Sequence, residues 1–261
     1  MNDYGVCILS TVPVRKEPKN NSEQVTQLLF GDYAEITDEY SKSGNDYDKW
    51  VKIHTLYDNY HGWIDARNIL LINHSDIIPQ KYIVKRFITE IHMNSRKMFI
   101  PAGCRIPDKI FSFKNCHFNI INSNDITPFK KPNPAYLTDI IDLYMNCPYQ
   151  WGGKNVFGLD CSGFTQNVFS FFGIQLERDA YLQANQGTQI TLSEINTGDL
   201  LFFNNSKNKI SHVGIATSHN TIVHCSGQVH TDKFDTTGII NSKGQYSHLL
   251  CKATRLANIF E

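Results

Sequence analysis

Tyr149-Gln150-Trp151-Gly152-Gly153 and, a few residues on, Gly158-Leu159-Asp160-Cys161-Ser162-Gly163-Phe164 are the segments on which the reading of this chain turns. Glycines crowd the approach to a single cysteine. Beyond it, Phe164, Val168 and the Phe171-Phe172 pair recur at helical spacing until Gly173. Cys161 is therefore expected at a helix N-terminus, just after a glycine-rich bend. The positive end of a helix favours a thiolate. An unperturbed thiol, with a pKa of about 8.5, is only a few per cent ionised at neutral pH. A helix end plus a histidine neighbour supplies the activation that a nucleophilic sulfur needs. His212 and His224 are the downstream candidates.

Working outward, Asn133-Pro134 reads as an N-cap followed by proline at the first helical position. Leu137, Ile140, Ile141, Tyr144 and Met145 then give an apolar helical face that Pro148 closes. Downstream the pattern turns to strands: Asp199 to Phe203, His212 to Ala216 and Thr221 to His224. Helices leading into a sheet predict an α+β domain over 134–261. Residues 1–72 read as short β-branched and aromatic strands parted by Gly31-Asp32, Ser43 to Asp46 and Asp58-Asn59, which predicts a small β-barrel. Residues 73–121 are strand-like and less regular, as in a second, diverged barrel. Residues 122–133, polar and carrying Pro128 and Pro132, read as a linker.

At 261 residues, 41% of them apolar, the chain can build two or three cored domains. Lys+Arg and Asp+Glu both number 25, so nothing suggests a nucleic-acid partner. Seven scattered cysteines, an odd number with no CxxC, predict free thiols in a reducing compartment. The segment Met1 to Cys7 lacks the basic start and apolar run of a signal peptide, and no stretch reaches the ~18 apolar residues of a membrane span. If Met1 is the true start, the expectation is a cytoplasmic protein with no membrane partner; a start further upstream leaves export open. Nothing bears on oligomeric state.

The two histidines lie on strands that read as a hairpin turning near Ser218-His219-Asn220. If that hairpin is symmetric about 218, His212 and His224 face each other, with His224 fixing the tautomer of His212. Taken singly, each is an ordinary half-buried strand residue. The remaining histidines, His54, His61, His74, His92, His117, His219, His230 and His248, read as surface. A zinc site made of Cys161, His212, His224 and Cys225 lacks the paired short spacing of structural zinc ligands, so no metal and no cofactor is expected.

Five ordered blocks carry a resemblance: Pro148-Tyr149-x-Trp151-Gly152-Gly153, Gly158-x-Asp160-Cys161-Ser162-Gly163-Phe164, Arg178-Asp179-Ala180-x-x-Gln183, Gly198 to Phe203, and His212-Val213-Gly214-Ile215. Over roughly 134–260 they resemble the NlpC family of papain-like cell-wall cysteine peptidases. Arg15 to Pro18, Ser22-Glu23, Gln27 to Asp32 and Tyr60 to Ile64 resemble a bacterial SH3-like domain. The combination is similar to γ-D-glutamyl-L-diamino acid endopeptidases of the dipeptidyl-peptidase type. The fold implied is a papain-like NlpC catalytic domain preceded by one or two SH3-like barrels.

The resemblance implies Cys161 as nucleophile, His212 as base and then acid, and His224 as its orienting residue. It implies Tyr149 and the Cys161 N–H as donors to the scissile carbonyl oxygen. Asp160 and Ser162 match positions that hold the free α-amino group of an N-terminal L-Ala; an N-cap role for Asp160 is compatible. Arg178, Asp179 and Gln183 either shape the cleft wall or make structural pairs. In such relatives the first SH3-like domain donates a tyrosine and an acid, for which Tyr60 and Glu23 are the candidates, with Glu17 behind. The activity implied is cleavage of the γ-D-Glu–diamino acid bond of murein peptides, releasing L-Ala-γ-D-Glu for cell-wall peptide recycling. Two readings stay open beside it: a lysin acting on intact peptidoglycan with SH3-like domains as binding modules, and a non-catalytic murein-binding protein. An acyltransferase is a more distant fourth.

Overall fold

The computed structural model describes residues 3–257; Met1, Asn2 and 258–261, at the ends of the expected domains, lie outside them. The chain forms two compact units. The first comprises residues up to 129 together with 151–156, and the second 130–150 together with the rest from 157.

The first unit opens with a seven-stranded antiparallel sheet. Its order is Gln24–Leu29, Thr11–Arg15, His61–Asp65, Lys49–Thr55, Tyr33–Ser41, Tyr4–Val6, Leu70–Ile72. Alternation along these strands puts Val12, Val14, Leu28, Val51, Ile53 and Ile64 into one core. The later strands form two small sheets: Arg96–Pro101, Ile88–Met93, Cys116–Ile120 and Ile110–Phe113, and then Arg105–Ile106, Tyr82–Val84 and Ile126–Pro128. Their core is shared with the first sheet. Val6, Leu29, Phe30, Tyr33 and Ile72 join Val84, Ile91, Ile100, Phe111 and Phe118 in one cluster. The Phe30 ring meets Phe118 edge-on at 5.1 Å. Gly31, at φ +90°, lets the backbones close up, since a Cβ there would stand 2.1 Å from the Arg105 carbonyl oxygen. Beside it the buried Arg105 guanidinium donates to Asp32 at 2.6 Å.

The expected linker departs from the sequence reading. Ser123–Asp125 makes a 3-10 turn, and Ile126–Pro128 pairs antiparallel with Tyr82–Val84. Polar residues and Pro128 suggested a loop, yet Ile126 and Thr127 are buried, and the proline ends an edge strand, where its missing N–H costs nothing. Only 129–133 remain irregular before the helix.

In the second unit, helix α1 (Pro134–Tyr144) starts where Asn133 Oδ1 accepts the Tyr136 N–H, and it buries Leu137, Ile140, Ile141 and Tyr144. Helix α2 (Cys161–Ser170) is buried on every face. Two of its buried polar side chains are bonded outward: Thr165 donates to Gln183 Oε1 at 2.7 Å, and Gln166 Nε2 donates to the Leu176 carbonyl at 2.9 Å. A short helix α3 (Ala180–Gln183) follows. The sheet order is Thr188–Gln189, Tyr246–Arg255, Leu200–Asn204, Ile210–Ser218, Thr221–Ser226, Gln228–Phe234, Gly238–Ile240. Gly238–Ile240 also pairs with Tyr246–Arg255, so the sheet closes on itself. Helix α2 packs on Ile210–Ser218 and Thr221–Ser226. This is the expected α+β pattern, and it brings the helix carrying Cys161 against the strands carrying His212 and His224.

Candidate active site

Cys161 is the first residue of α2 and is 6% exposed. Its Sγ lies 3.9 Å from the Ser211 carbonyl oxygen, and the Val213 N–H donates toward it, so the sulfur faces the backbone on both sides of His212. Asp160 caps the helix, its Oδ1 accepting the Gly163 N–H at 2.7 Å. Burial opposes the thiolate that the helix end favours. Burial pushes Cys161 up to about 12, and the charge of Asp160 adds to it, against the Val213 N–H and Arg178. Desolvation outweighs the helix end because the terminus is closed off from water.

His212 Nε2 lies 2.8 Å from His224 Nδ1, and His224 Nε2 lies 3.2 Å from Asp232 Oδ2. A carboxylate only accepts, so His224 carries its proton on Nε2. Its Nδ1 then accepts from His212 Nε2–H. This leaves His212 Nδ1 as the bare ring nitrogen, the protonation state a general base needs. Burial, then the neighbouring His224, holds His212 well below the ordinary imidazole value. Burial likewise brings His224 down to about 4, against the Asp232 carboxylate. Burial disfavours the charged form of each group, so a proton passing from the thiol to the imidazole charges both together.

The hairpin register differs from the symmetric one. Gly214, not His212, is opposite His224, because the chain turns on His219-Asn220 and the register shifts between Ala216 and Ser218. His212 is opposite Phe203 on its other side. The two rings meet diagonally over Gly214, where a Cβ would stand 2.6 Å from Ile222 Cδ1 and 2.9 Å from His224 Cβ.

Asp160 is held by Arg178, which is 1% exposed: Nη1 donates to Oδ1 at 3.0 Å and Nη2 to Oδ2 at 2.6 Å. Arg178 Nη1 also donates to Ser162 Oγ at 2.9 Å. Of the two roles open to Arg178 and Gln183, the geometry supplies structural pairing around the start of α2, since Gln183 also donates to the Ser162 carbonyl at 3.1 Å. Removing one member of such a buried pair costs about 3–5 kcal/mol. Tyr149 sits just ahead of α2, its N–H donating to the Gly227 carbonyl at 2.8 Å. Burial and the neighbouring Cys161 push its phenol up, so the O–H stays a donor.

Glu23 and Tyr60 belong to the first unit. Glu23 Oε1 accepts the Trp151 indole N–H at 2.9 Å, and Glu23 also pairs with Lys16. Tyr60 is half-buried, its N–H donating to Thr55 Oγ1 at 2.8 Å. In the same unit Lys154 N–H and Asn155 Nδ2 both donate to Gln27 Oε1, which gives the Trp151-Gly152-Gly153 stretch a structural use.

Residues 146–246 match the NlpC/P60 family, and residues 10–69 match the bacterial SH3 domain. The chain carries an NlpC/P60 domain and a bacterial SH3 domain. It is similar to the γ-D-glutamyl-L-lysine dipeptidyl-peptidase of Bacillus subtilis, 40% identical over 84 residues, which cover 31% of this chain and 28% of that protein. The Bacillus cereus protein of the same name is 32% identical over 135 residues, covering 50% of this chain and 38% of its own length. The alignments therefore span well under half of either relative. The crystal structure of an NlpC/P60 family protein from Bacillus cereus superposes with a TM-score of 0.79 at 19% identity, over 97% of this chain and 99% of that one, which shows a shared fold.

In the second unit the sequence reading missed three residues. Asp232 ends the hydrogen-bonded chain. His230 and His248, taken as surface, are drawn in: His248 stacks on His212 with centroids 4.2 Å apart, and His230 lies 3.1 Å from Asp232 Oδ2. Gly227 was the available signal. Reflecting the sequence about it puts His230 opposite His224, as the structure does.

Proposed function

We propose that this chain is a cysteine peptidase that cleaves the γ-D-Glu–diamino acid amide of murein peptides with a free N-terminal L-Ala. One observation carries the reading. Within the NlpC/P60 stretch, the sulfur at the start of α2 adjoins the backbone flanking His212, and His212, His224 and Asp232 form a single hydrogen-bonded line. His212 Nδ1 takes the thiol proton as Sγ adds to the amide carbon. The oxyanion is met by the Cys161 N–H and the Tyr149 O–H. The imidazolium returns the proton to the departing amine, leaving a thioester. Water, deprotonated by His212, then releases the γ-carboxylate and the thiol.

Asp160 and Ser162 are assigned to the substrate's ammonium group. The assignment is supported by a carboxylate one residue before the nucleophile and a hydroxyl one residue after it. The names of the two Bacillus relatives support a diamino acid after D-Glu. A reducing compartment, as in cytosolic recycling of wall peptides, fits seven cysteines that are all free thiols.

The test is cleavage of L-Ala-γ-D-Glu-diaminopimelate and its L-lysine counterpart, each free and N-acetylated, alongside intact sacculi. Cleavage of the free peptides alone, abolished by Cys161→Ala, is expected. Equal cleavage of the acetylated forms removes the ammonium role of Asp160, and activity on sacculi makes the chain a lysin. No cleavage of any substrate leaves a binding protein.

A further inference from the structure

His230 stands directly opposite His224 in the Gln228–Phe234 hairpin arm, and Asp232 follows on the same face. The Nδ1 of His230 lies 2.8 Å from the Gln228 carbonyl oxygen, which can only accept, so Nδ1 carries the proton. A neutral His230 therefore presents a bare Nε2. That nitrogen lies 3.1 Å from Asp232 Oδ2, another acceptor. A cation held between the two atoms would be bound by both. His224 Nε2 approaches the same oxygen at 3.2 Å.

We propose that His224, His230 and Asp232 form a site for a divalent transition-metal ion such as zinc, and that filling it disarms the base. The three ligand atoms all lie within 4.8 Å of one another. Tetrahedral coordination at 2.0–2.1 Å sets ligand atoms about 3.3 Å apart, close to the two contacts made by Asp232. Two imidazoles and a carboxylate suit zinc, cobalt or nickel, with water in the fourth position. The Gln228 carbonyl orients His230 in the way that outer-shell acceptors orient ligating imidazoles. The His230 side chain is 29% exposed against 1% for His224, so an ion enters past His230.

The consequence for His212 follows from proton positions. A metal on His224 Nε2 displaces the proton there. The proton on His212 Nε2 passes to His224 Nδ1, and His212 takes one from solvent on its own Nδ1. Each ring keeps one proton, moved to its other nitrogen. His212 Nδ1 is then occupied and cannot accept from the thiol. The metal site stands independently of the catalytic roles proposed above; only its effect on turnover rests on them.

Zinc also attacks thiols, so the site is read in a Cys161→Ala background stripped with a chelator. Calorimetry with Zn²⁺ is expected to show a site that His230→Gln weakens by at least about tenfold. In ¹⁵N spectra of the histidine side chains, Zn²⁺ is expected to move the His212 proton from Nε2 to Nδ1. Zinc binding that is absent, or equal with and without His230, overturns the proposal, and so does binding that leaves the His212 tautomer unchanged. The species between His230 and Asp232 is then a proton. Peptide cleavage by the metal-free wild-type chain is measured separately, so a failed peptidase reading and a failed metal site give different results.

Discussion

Cys161 could be picked out from its neighbours in sequence, because a thiol between a glycine-rich bend and an apolar helical repeat has few ordinary explanations. Asp232 could not. It lies far along the chain from Cys161 and enters the site only through the pairing of two hairpins. Its part is to hold His224 in the Nε2–H form, and through it His212 in the form with a bare Nδ1. Asp232→Asn offers an amide that can present its NH₂ to His224 and reverse the line of donors. We predict that kcat falls by at least about tenfold with little change in KM, as for a positioning group behind a catalytic imidazole. Steady-state kinetics on the free tripeptide, with histidine ¹⁵N shifts as the tautomer readout, checks this. Unchanged tautomers with reduced kcat would make Asp232 a structural residue only.

At the scale of the element, the strands flanking His219-Asn220 show what a local pattern reveals and what it conceals. Alternation identified both strands and put both histidines on one face. Their register depended on an irregularity between Ala216 and Ser218, which no alternation pattern reports. Because Gly214 rather than His212 faces His224, the room for the ring pair depends on a missing side chain. Gly214→Ala drives a methyl group against Ile222 and His224. The expected outcome is a folded chain whose kcat drops by about 10²-fold, the scale of a small misplacement in a catalytic constellation. Circular dichroism confirms folding, and single-turnover kinetics locates the loss in acylation. Helix α2 teaches the complementary lesson. Its buried Thr165, Gln166, Asn167 and Ser170 blur the apolar stripe, and the hydroxyls of Thr165 and Ser170 and the amide nitrogen of Gln166 find partners in neighbouring side chains and carbonyls.

For the molecule as a whole, domain boundaries drawn from composition and boundaries drawn from cores differ. A cluster shared across the expected boundary at residue 72 covers Leu29, Phe30, Tyr33 and Ile72 with residues that come later. A fragment of residues 1–72 therefore exposes those side chains, at about 1.5–3 kcal/mol for each large one. We predict that the fragment melts well below residues 1–129 joined to 151–156 in the intact chain, by urea unfolding followed through Trp50 and Trp63. A fragment as stable as the intact first unit would show that the shared cluster contributes nothing. The Asp32–Arg105 contact ties the same halves together, and losing either partner leaves a buried charge unpaired.

Sequence alone determined what proximity along the chain can encode: the strands, the two helices and their caps, the cysteine at a helix start, and the ordered blocks of the NlpC/P60 and SH3 stretches. These follow from side-chain periodicity and turn chemistry within a dozen residues. Tertiary structure alone decided the register over Gly214, the burial of Cys161, the place of Asp232, His230 and His248, and the cluster shared across residue 72. Those depend on which distant strands come together and on how completely water is excluded when they do.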